Sequence, residues 1–196
     1  MRYLIASDIH GSLPAARALI DRFHEEEADR LLLLGDLLYH GPRNPLPEGY
    51  EPAEVAKLLN EHADRIIAVR GNCDAEVDQM VLDFPCRGDY ALVVDEGTTL
   101  FLTHGHLDVR QTVESLPAGS IIFSGHTHVK GIGGAFAPVP LEGAEFAHLT
   151  FANPGSTGHP KDGSASYALY EHDTVELKRV NSQKVCLRII HSPRSY

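Results

Sequence analysis

Five short polar clusters carry the residues best suited to chemistry: Asp8-Ile9-His10-Gly11, Gly35-Asp36, Gly71-Asn72, His104-Gly105-His106 and Gly125-His126-Thr127-His128. Each sets carboxylate, imidazole or amide donors beside a glycine, the mixed oxygen and nitrogen set that divalent cations accept. Two carboxylates (Asp8, Asp36), four imidazoles (His10, His104, His126, His128) and the Asn72 amide are more than one ion recruits. They suit two divalent ions that share a bridging carboxylate and keep positions open for water. One such cluster would read as an ordinary surface turn, because short motifs match by chance. Five in one chain call for a common purpose.

Clusters so far apart in sequence must be gathered by the fold, and what precedes each of them says how. Apolar runs over residues 2–7, 31–34, 66–69, 98–102 and 120–123 lead into the five clusters in turn. Each reads as a strand with the polar turn at its C-terminal end, the edge where open α/β sheets bind ligands. Ser12 can cap a helix that tolerates Pro14 in its first turn and lays Ala15, Leu19, Ile20 and Phe23 on one face. Val55, Leu58 and Leu59 mark a second helix, and the parallel strands around it imply a right-handed crossover. Farther on, 90–95 pairs with 98–102 as a hairpin across Glu96-Gly97, and 147–151, 166–170, 175–179 and 185–190 are four more strands. The expectation is one α/β domain over residues 1–196, with two packed sheets and helices outside. Residues 37–52, with Pro42, Pro45, Pro47 and Pro52, form a loop too long for a routine connector.

Taken in order, the five clusters resemble the five motifs of the calcineurin-like metallophosphoesterases, over residues 1 to about 158. The run from Gly35-Asp36 through His40-Gly41-Pro42-Arg43-Asn44 to Leu46-Pro47-Glu48-Gly49-Tyr50, and Arg70-Gly71-Asn72-Cys73-Asp74, are similar to loops of the family's small bacterial YfcE-type phosphodiesterases. The resemblance implies a four-layer α/β/β/α sandwich of two mixed sheets, with the metal site at strand C-terminal ends. It implies one ion held by Asp8, His10, Asp36 and His128 and a second held by Asp36, Asn72, His104 and His126, with Asp36 bridging. Manganese is the occupant it points to, with iron, zinc and nickel as alternatives that the donor set does not separate. The activity implied is hydrolysis of a small or nucleotide-like phosphodiester by in-line attack of a metal-bridging hydroxide, which needs no protein nucleophile. Even with both carboxylates and a hydroxide counted, two divalent ions leave the cluster net positive, able to draw a phosphate into an acidic protein.

Many relatives carry a histidine directly after the motif asparagine, where this chain has Cys73. A thiol is a poor substitute for imidazolium as an acid near neutrality. Protonation of the leaving group then falls to another side chain, His106 or Asp74, or the substrate leaves unaided. The residues expected around the reacting phosphorus are Asn72, His104, Cys73 and Asp74, with His40, Arg43 and His106 toward substrate. A guanidinium fork in the proline-rich loop suits phosphate oxygens, although such a loop is as readily a solvated connector. Asn153-Pro154-Gly155-Ser156 reads as a turn, which the resemblance places beside the site. His24, His62, His148, His159, His172 and His191 sit in no motif.

Seventeen basic against 27 acidic residues give a formal charge of −10, with no basic block, which argues against binding long nucleic acid. Cys73, Cys86 and Cys186 are odd in number and widely spaced, so a disulfide framework is not expected and a reducing cytoplasm is. No apolar run approaches the ~20 residues of a membrane span. Assembly into a homo-oligomer stays open. Two other functions are compatible with the same clusters: a phosphomonoesterase or protein phosphatase, and a protein-interaction scaffold on this fold, as in the retromer subunit that resembles it.

Overall fold

The computed structural model describes residues 1–136, 141, 144–182 and 184–190; His191 lies outside them. The chain runs β1 (Tyr3–Ala6), α1 (Leu13–Glu25), β2 (Arg30–Leu33), α2 (Pro52–Asn60), β3 (Ile66–Ala68), β4 (Tyr90–Asp95), β5 (Thr98–Thr103), α3 (Arg110–Glu114), β6 (Ile121–Phe123), β7 (Gly131–Ile132), β8 (Thr150–Asn153), β9 (Ser166–Glu171), β10 (Thr174–Arg179) and β11 (Val185–Ile190). One sheet has the order β11-β10-β9-β1-β2-β3 and the other β4-β5-β6-β8-β7. Both are mixed. In the first, β1, β2 and β3 are parallel and β9 to β11 antiparallel. In the second, β5, β6 and β8 are parallel between antiparallel edges.

Alternation along these short strands decides the layers, because successive side chains point to opposite faces. Leu4, Ala6, Leu31 and Leu33 pack with Leu19, Phe23, Val55 and Leu59 of α1 and α2. Tyr3, Ile5, Leu32, Leu100, Leu102, Ile121 and Phe123 meet between the sheets. Phe101 and Ile122 face outward onto Val113 of α3 and onto Phe146, Leu149 and Phe151. Three cores separate four layers, α/β/β/α. Strands apolar on both faces are what parallel sheets buried on both sides require.

Three local expectations change. On α1 the buried face is Ala16, Leu19, Ile20 and Phe23, with Ala15 only half-buried. The strand expected over 147–151 begins later: Ala144–Phe146 is a 3-10 turn, Leu149 donates its N–H to the Phe146 carbonyl at 2.9 Å, and pairing starts at Thr150. Neither α3 nor β7 was expected, since five and two residues are too few to show a period. Among the described residues no helix is long and apolar enough to cross a membrane.

Candidate metal centre

The parallel strands β1, β2 and β3 end side by side, as do β5 and β6, so the five polar turns meet at one edge of the sandwich. Backbone hydrogen bonds zip the turns together. The N–H groups of Asp8 and His10 donate to the carbonyls of Gly35 and Asp36 at 3.1 and 2.9 Å, and Gly125 donates to His104 at 2.9 Å. Asp8, His10, Asp36, His126 and His128 all take positive φ, between 53° and 67°. Backbone of this kind costs energy in non-glycine residues and persists where the surroundings over-determine it, typically at functional sites.

Asp8, His10, Asp36, His104 and His128 are buried, and their ligand atoms converge. Asp8, His10 and His128 form one group with all donor atoms within 4.8 Å of one another, and Asp8, Asp36 and His104 form another. Three imidazoles are oriented in the same way. His10 Nδ1 donates to the Tyr39 carbonyl at 2.9 Å, His104 Nδ1 to Leu34 at 2.7 Å and His128 Nδ1 to His159 at 2.6 Å. A carbonyl only accepts, so each Nδ1 carries its proton and each Nε2 faces the cluster.

The inward atoms are then nearly all acceptors. His10 Nε2 and His128 Nε2 lie 3.2 Å apart, and Asp8 Oδ1 is 3.2 Å from His128 Nε2. His104 Nε2 sits 3.3 Å from Asp36 Oδ2 and 3.1 Å from Asn72 Oδ1. Asp8 Oδ1 is buried with no hydrogen-bond partner. Lone pairs aimed at one another, with an orphaned carboxylate oxygen among them, are unfavourable unless cations occupy the space between. Protons answer the same demand. Burial opposes a charged His104, yet the Asp36 hydrogen bond and the two aspartates raise its pKa to about 9. Burial likewise opposes the ionised form of Asp8, while His10 and His128 hold its pKa well below the usual carboxylate range. The donor set therefore fits divalent metal.

Asn72 and His126 stand at the margin. Asn72 is exposed and reaches His104 through its amide oxygen, while the half-buried His126 ring lies 5.1 Å from that of His104. The His106 ring packs 5.3 Å from His104, and burial, with His104 and His126 nearby, pushes its pKa down to about 4. Cys73 Sγ lies within 4.8 Å of donor atoms of His10 and Asp36. Burial and the Asp36 carboxylate push that thiol up to about 12. Asp74 is committed to backbone: it accepts N–H bonds from Asp36, Leu37 and Gly71 at 2.8, 2.9 and 2.7 Å, which ties two of the turns together. His40 lies between the rings of Tyr39 and Tyr50, and Arg43 is exposed.

The sequence profile of the calcineurin-like phosphoesterase superfamily domain matches residues 1–175. The chain belongs to the calcineurin-like phosphoesterase superfamily. Phosphodiesterase YfcE of Escherichia coli K12 is 44% identical over 194 residues, covering 98% of this chain and all of that protein. The solved structure of the E. coli phosphoesterase YfcE superposes with a TM-score of 0.85 at 42% identity, over 98% of this chain and 100% of that one. Zinc-complexed Vps29 from Entamoeba histolytica shares the phosphoesterase fold alone, at 18% identity and a TM-score of 0.59, covering 98% of this chain and 100% of that one.

Several supporting groups have no sequence signal. The carbonyls of Leu34, Tyr39 and His159 orient imidazoles, and any residue type could supply them. Ser156 Oγ donates to the Asp8 carbonyl at 2.8 Å, and Asn153 Nδ2 donates to the Gly125 carbonyl at 2.8 Å, which fixes the turn carrying His126 and His128. The Asn-Pro-Gly-Ser composition showed a turn there, though not what it grips.

Proposed function

We propose that this phosphoesterase is a metal-dependent phosphodiesterase that cleaves a small phosphodiester at a centre of two divalent cations, manganese first among them, in a reducing cytoplasm. One observation carries the reading: a buried set of inward acceptors, with Asp8 Oδ1 left unpartnered, in a chain 44% identical to a phosphodiesterase. Asp8, His10, Asp36 and His128 would hold one cation and Asp36, Asn72, His104 and His126 the other. Cations bound there supply positive charge for the phosphate oxygens and lower the pKa of water.

The chain's own groups do the rest. Asp36 stands between the two halves, and its Oδ1 is fixed by the Cys73 N–H at 2.7 Å, which leaves Oδ2 for the cluster. The carbonyls behind His10, His104 and His128 keep each Nε2 unprotonated and directed inward once the cluster is charged. Exposed Asn72, at the rim, is placed to meet a phosphate oxygen. Of the side chains expected as acids, the Cys73 thiol is pushed up to about 12 and His106 down to about 4, while burial pushes the Asp74 carboxyl up to about 6 but its oxygens are taken by the backbone N–H groups of Asp36, Leu37 and Gly71. A centre without a ready acid favours esters whose alcohol leaves easily.

The test is hydrolysis of bis(4-nitrophenyl) phosphate and of 4-nitrophenyl phosphate by protein reconstituted with manganese, iron, zinc or nickel, with metal content measured alongside. The expected outcome is two ions per chain, diester turnover well above monoester turnover, and loss of both in Asp36→Asn. No diester turnover under any of these metals, or a single bound ion, refutes the reading.

A further inference from the structure

A cavity of about 790 Å³ opens between α2, the 37–52 loop and the 3-10 turn Glu76–Met80, with Leu38, Tyr39, Tyr50, Ala56, Val77 and Val81 in its walls. Its volume falls within the roughly 300–1,000 Å³ of small-molecule sites. Two of its polar side chains are already engaged. Asn60 donates to the Val81 carbonyl at 2.8 Å and accepts the Asp83 N–H at 2.9 Å, and Asp78 accepts the Ala75 N–H at 2.8 Å. A ligand entering here meets hydrocarbon and aromatic surface, with exposed Lys57 and Asp83 at the rim. Tyr39, Val77 and Val81 are 42%, 56% and 48% exposed along its walls.

Two residues join this cavity to the metal centre. Cys73 lines it, and its Sγ lies within 4.8 Å of donor atoms of His10 and Asp36. Tyr39 contributes its side to the wall, and its carbonyl orients His10. The cavity thus begins where the ligand cluster ends.

We propose that this cavity receives one ester group of the substrate, and that the group is alkyl or aryl rather than a sugar or nucleoside. The inference rests on the phosphodiesterase reading, since a phosphate at the cluster is what anchors the ligand. A phosphodiester carries two ester groups, and the cluster opens through Cys73 onto an apolar chamber able to take one of them. Hydroxyls or base amides buried against these mostly apolar walls would lose water and find few partners beyond the phenol groups of Tyr39 and Tyr50. A hydrocarbon group gains by the same transfer.

Monophosphates of graded size test this: methyl, butyl, hexyl, phenyl and 1-naphthyl phosphate, with adenosine 5′-monophosphate as the polar comparison. Each is measured on the manganese-loaded protein, as an inhibitor of bis(4-nitrophenyl) phosphate hydrolysis and by titration calorimetry. Affinity is expected to rise up to about fourfold per buried methylene, hence up to roughly 60-fold over the three methylenes from methyl to butyl phosphate. Naphthyl phosphate should bind more tightly than the nucleotide. Ala53→Trp on the α2 wall and Val77→Asp on the opposite wall should each remove the gain and leave methyl phosphate unchanged; thermal unfolding confirms that each variant is folded. A flat series, tightest binding by the nucleotide, or a gain that survives both substitutions overturns the proposal. Absent diester turnover with every metal overturns the functional reading instead, while calorimetry still reads the cavity.

Discussion

Gly71→Ala probes a close approach to the shared aspartate. A Cβ at Gly71 would lie 2.1 Å from Asp36 Oδ1 and 2.4 Å from the Asp36 backbone nitrogen, where ordinary contacts begin at 3.4 Å. Neither neighbour is the free end of a flexible chain: Oδ1 is held by the Cys73 N–H at 2.7 Å, and the Asp36 nitrogen by Asp74 at 2.8 Å. The two turns must therefore part by about 1 Å, a misplacement that costs on the order of 100-fold when it falls on a reacting centre. Overpacking of this kind also destabilises by about 1–3 kcal/mol. Asp36 is the residue proposed to be shared, so affinity for both ions should fall together, and diester turnover should drop about 100-fold even at saturating manganese. Metal titration followed by calorimetry, turnover of bis(4-nitrophenyl) phosphate and thermal unfolding measure the three effects. Gly134→Ala is the control, because nothing lies within 4 Å of its added Cβ. A Gly71→Ala protein with wild-type metal affinity and turnover would show that the contact between these turns does not set the position of Asp36.

Cys73→Ala should keep most diester turnover, because a thiol pushed up to about 12 is neither acid nor nucleophile at neutral pH; a collapse with both metals bound, read from kcat and metal content, would assign Cys73 a chemical role. Chelation should abolish turnover and lower the thermal midpoint, and manganese should restore both in the wild type, whereas Asp36→Asn should regain neither. Glu26, at the end of α1, accepts from Tyr167 at 2.6 Å and pairs with Lys178, so that, although burial opposes its charge, these partners hold its pKa below 4.5. A depressed carboxylate contributes stability that is present above its unfolded pKa and is lost as pH falls through the folded one. Thermal midpoints should therefore decline below about pH 4.5, and Glu26→Gln should flatten that part of the curve. An unchanged acid limb in the variant would place the sensitivity elsewhere.

The layers were legible because hydrophobic alternation is written into runs such as residues 31–34, and the turns because glycine with Asp, Asn or His is an unusual way to end a strand. What escaped was whatever depends on partners brought in from far along the chain. Nothing local distinguishes the Tyr39 or His159 carbonyl from any other, yet they set the tautomers of His10 and His128. Asp74 shows the converse: beside the motif it suggests proton transfer, and what the sequence does not show is that it also accepts three backbone N–H groups as a clasp between the turns. The segment at 147–151 misled because Leu149 packs outside the second sheet from the end of a turn, beside Phe151 of β8, and burial there leaves the same trace as a strand.

Nine non-glycine residues among those described have positive φ, and five of them are ligands proposed here. The other four, Glu27, Glu96, His172 and Asp173, lie in turns between elements. Sequence could not reveal this strain, since Asp and His give no sign of their φ. Turn-to-turn bonds hold it, such as His10 N–H to the Asp36 carbonyl at 2.9 Å and Thr157 N–H to the Ser7 carbonyl at 3.0 Å. These bonds tie the strained residues to the sheet edge. A centre shaped in advance in this way loses little ordering entropy when ions arrive. It follows that cations bound there would strengthen the cluster electrostatically, by relieving opposed lone pairs.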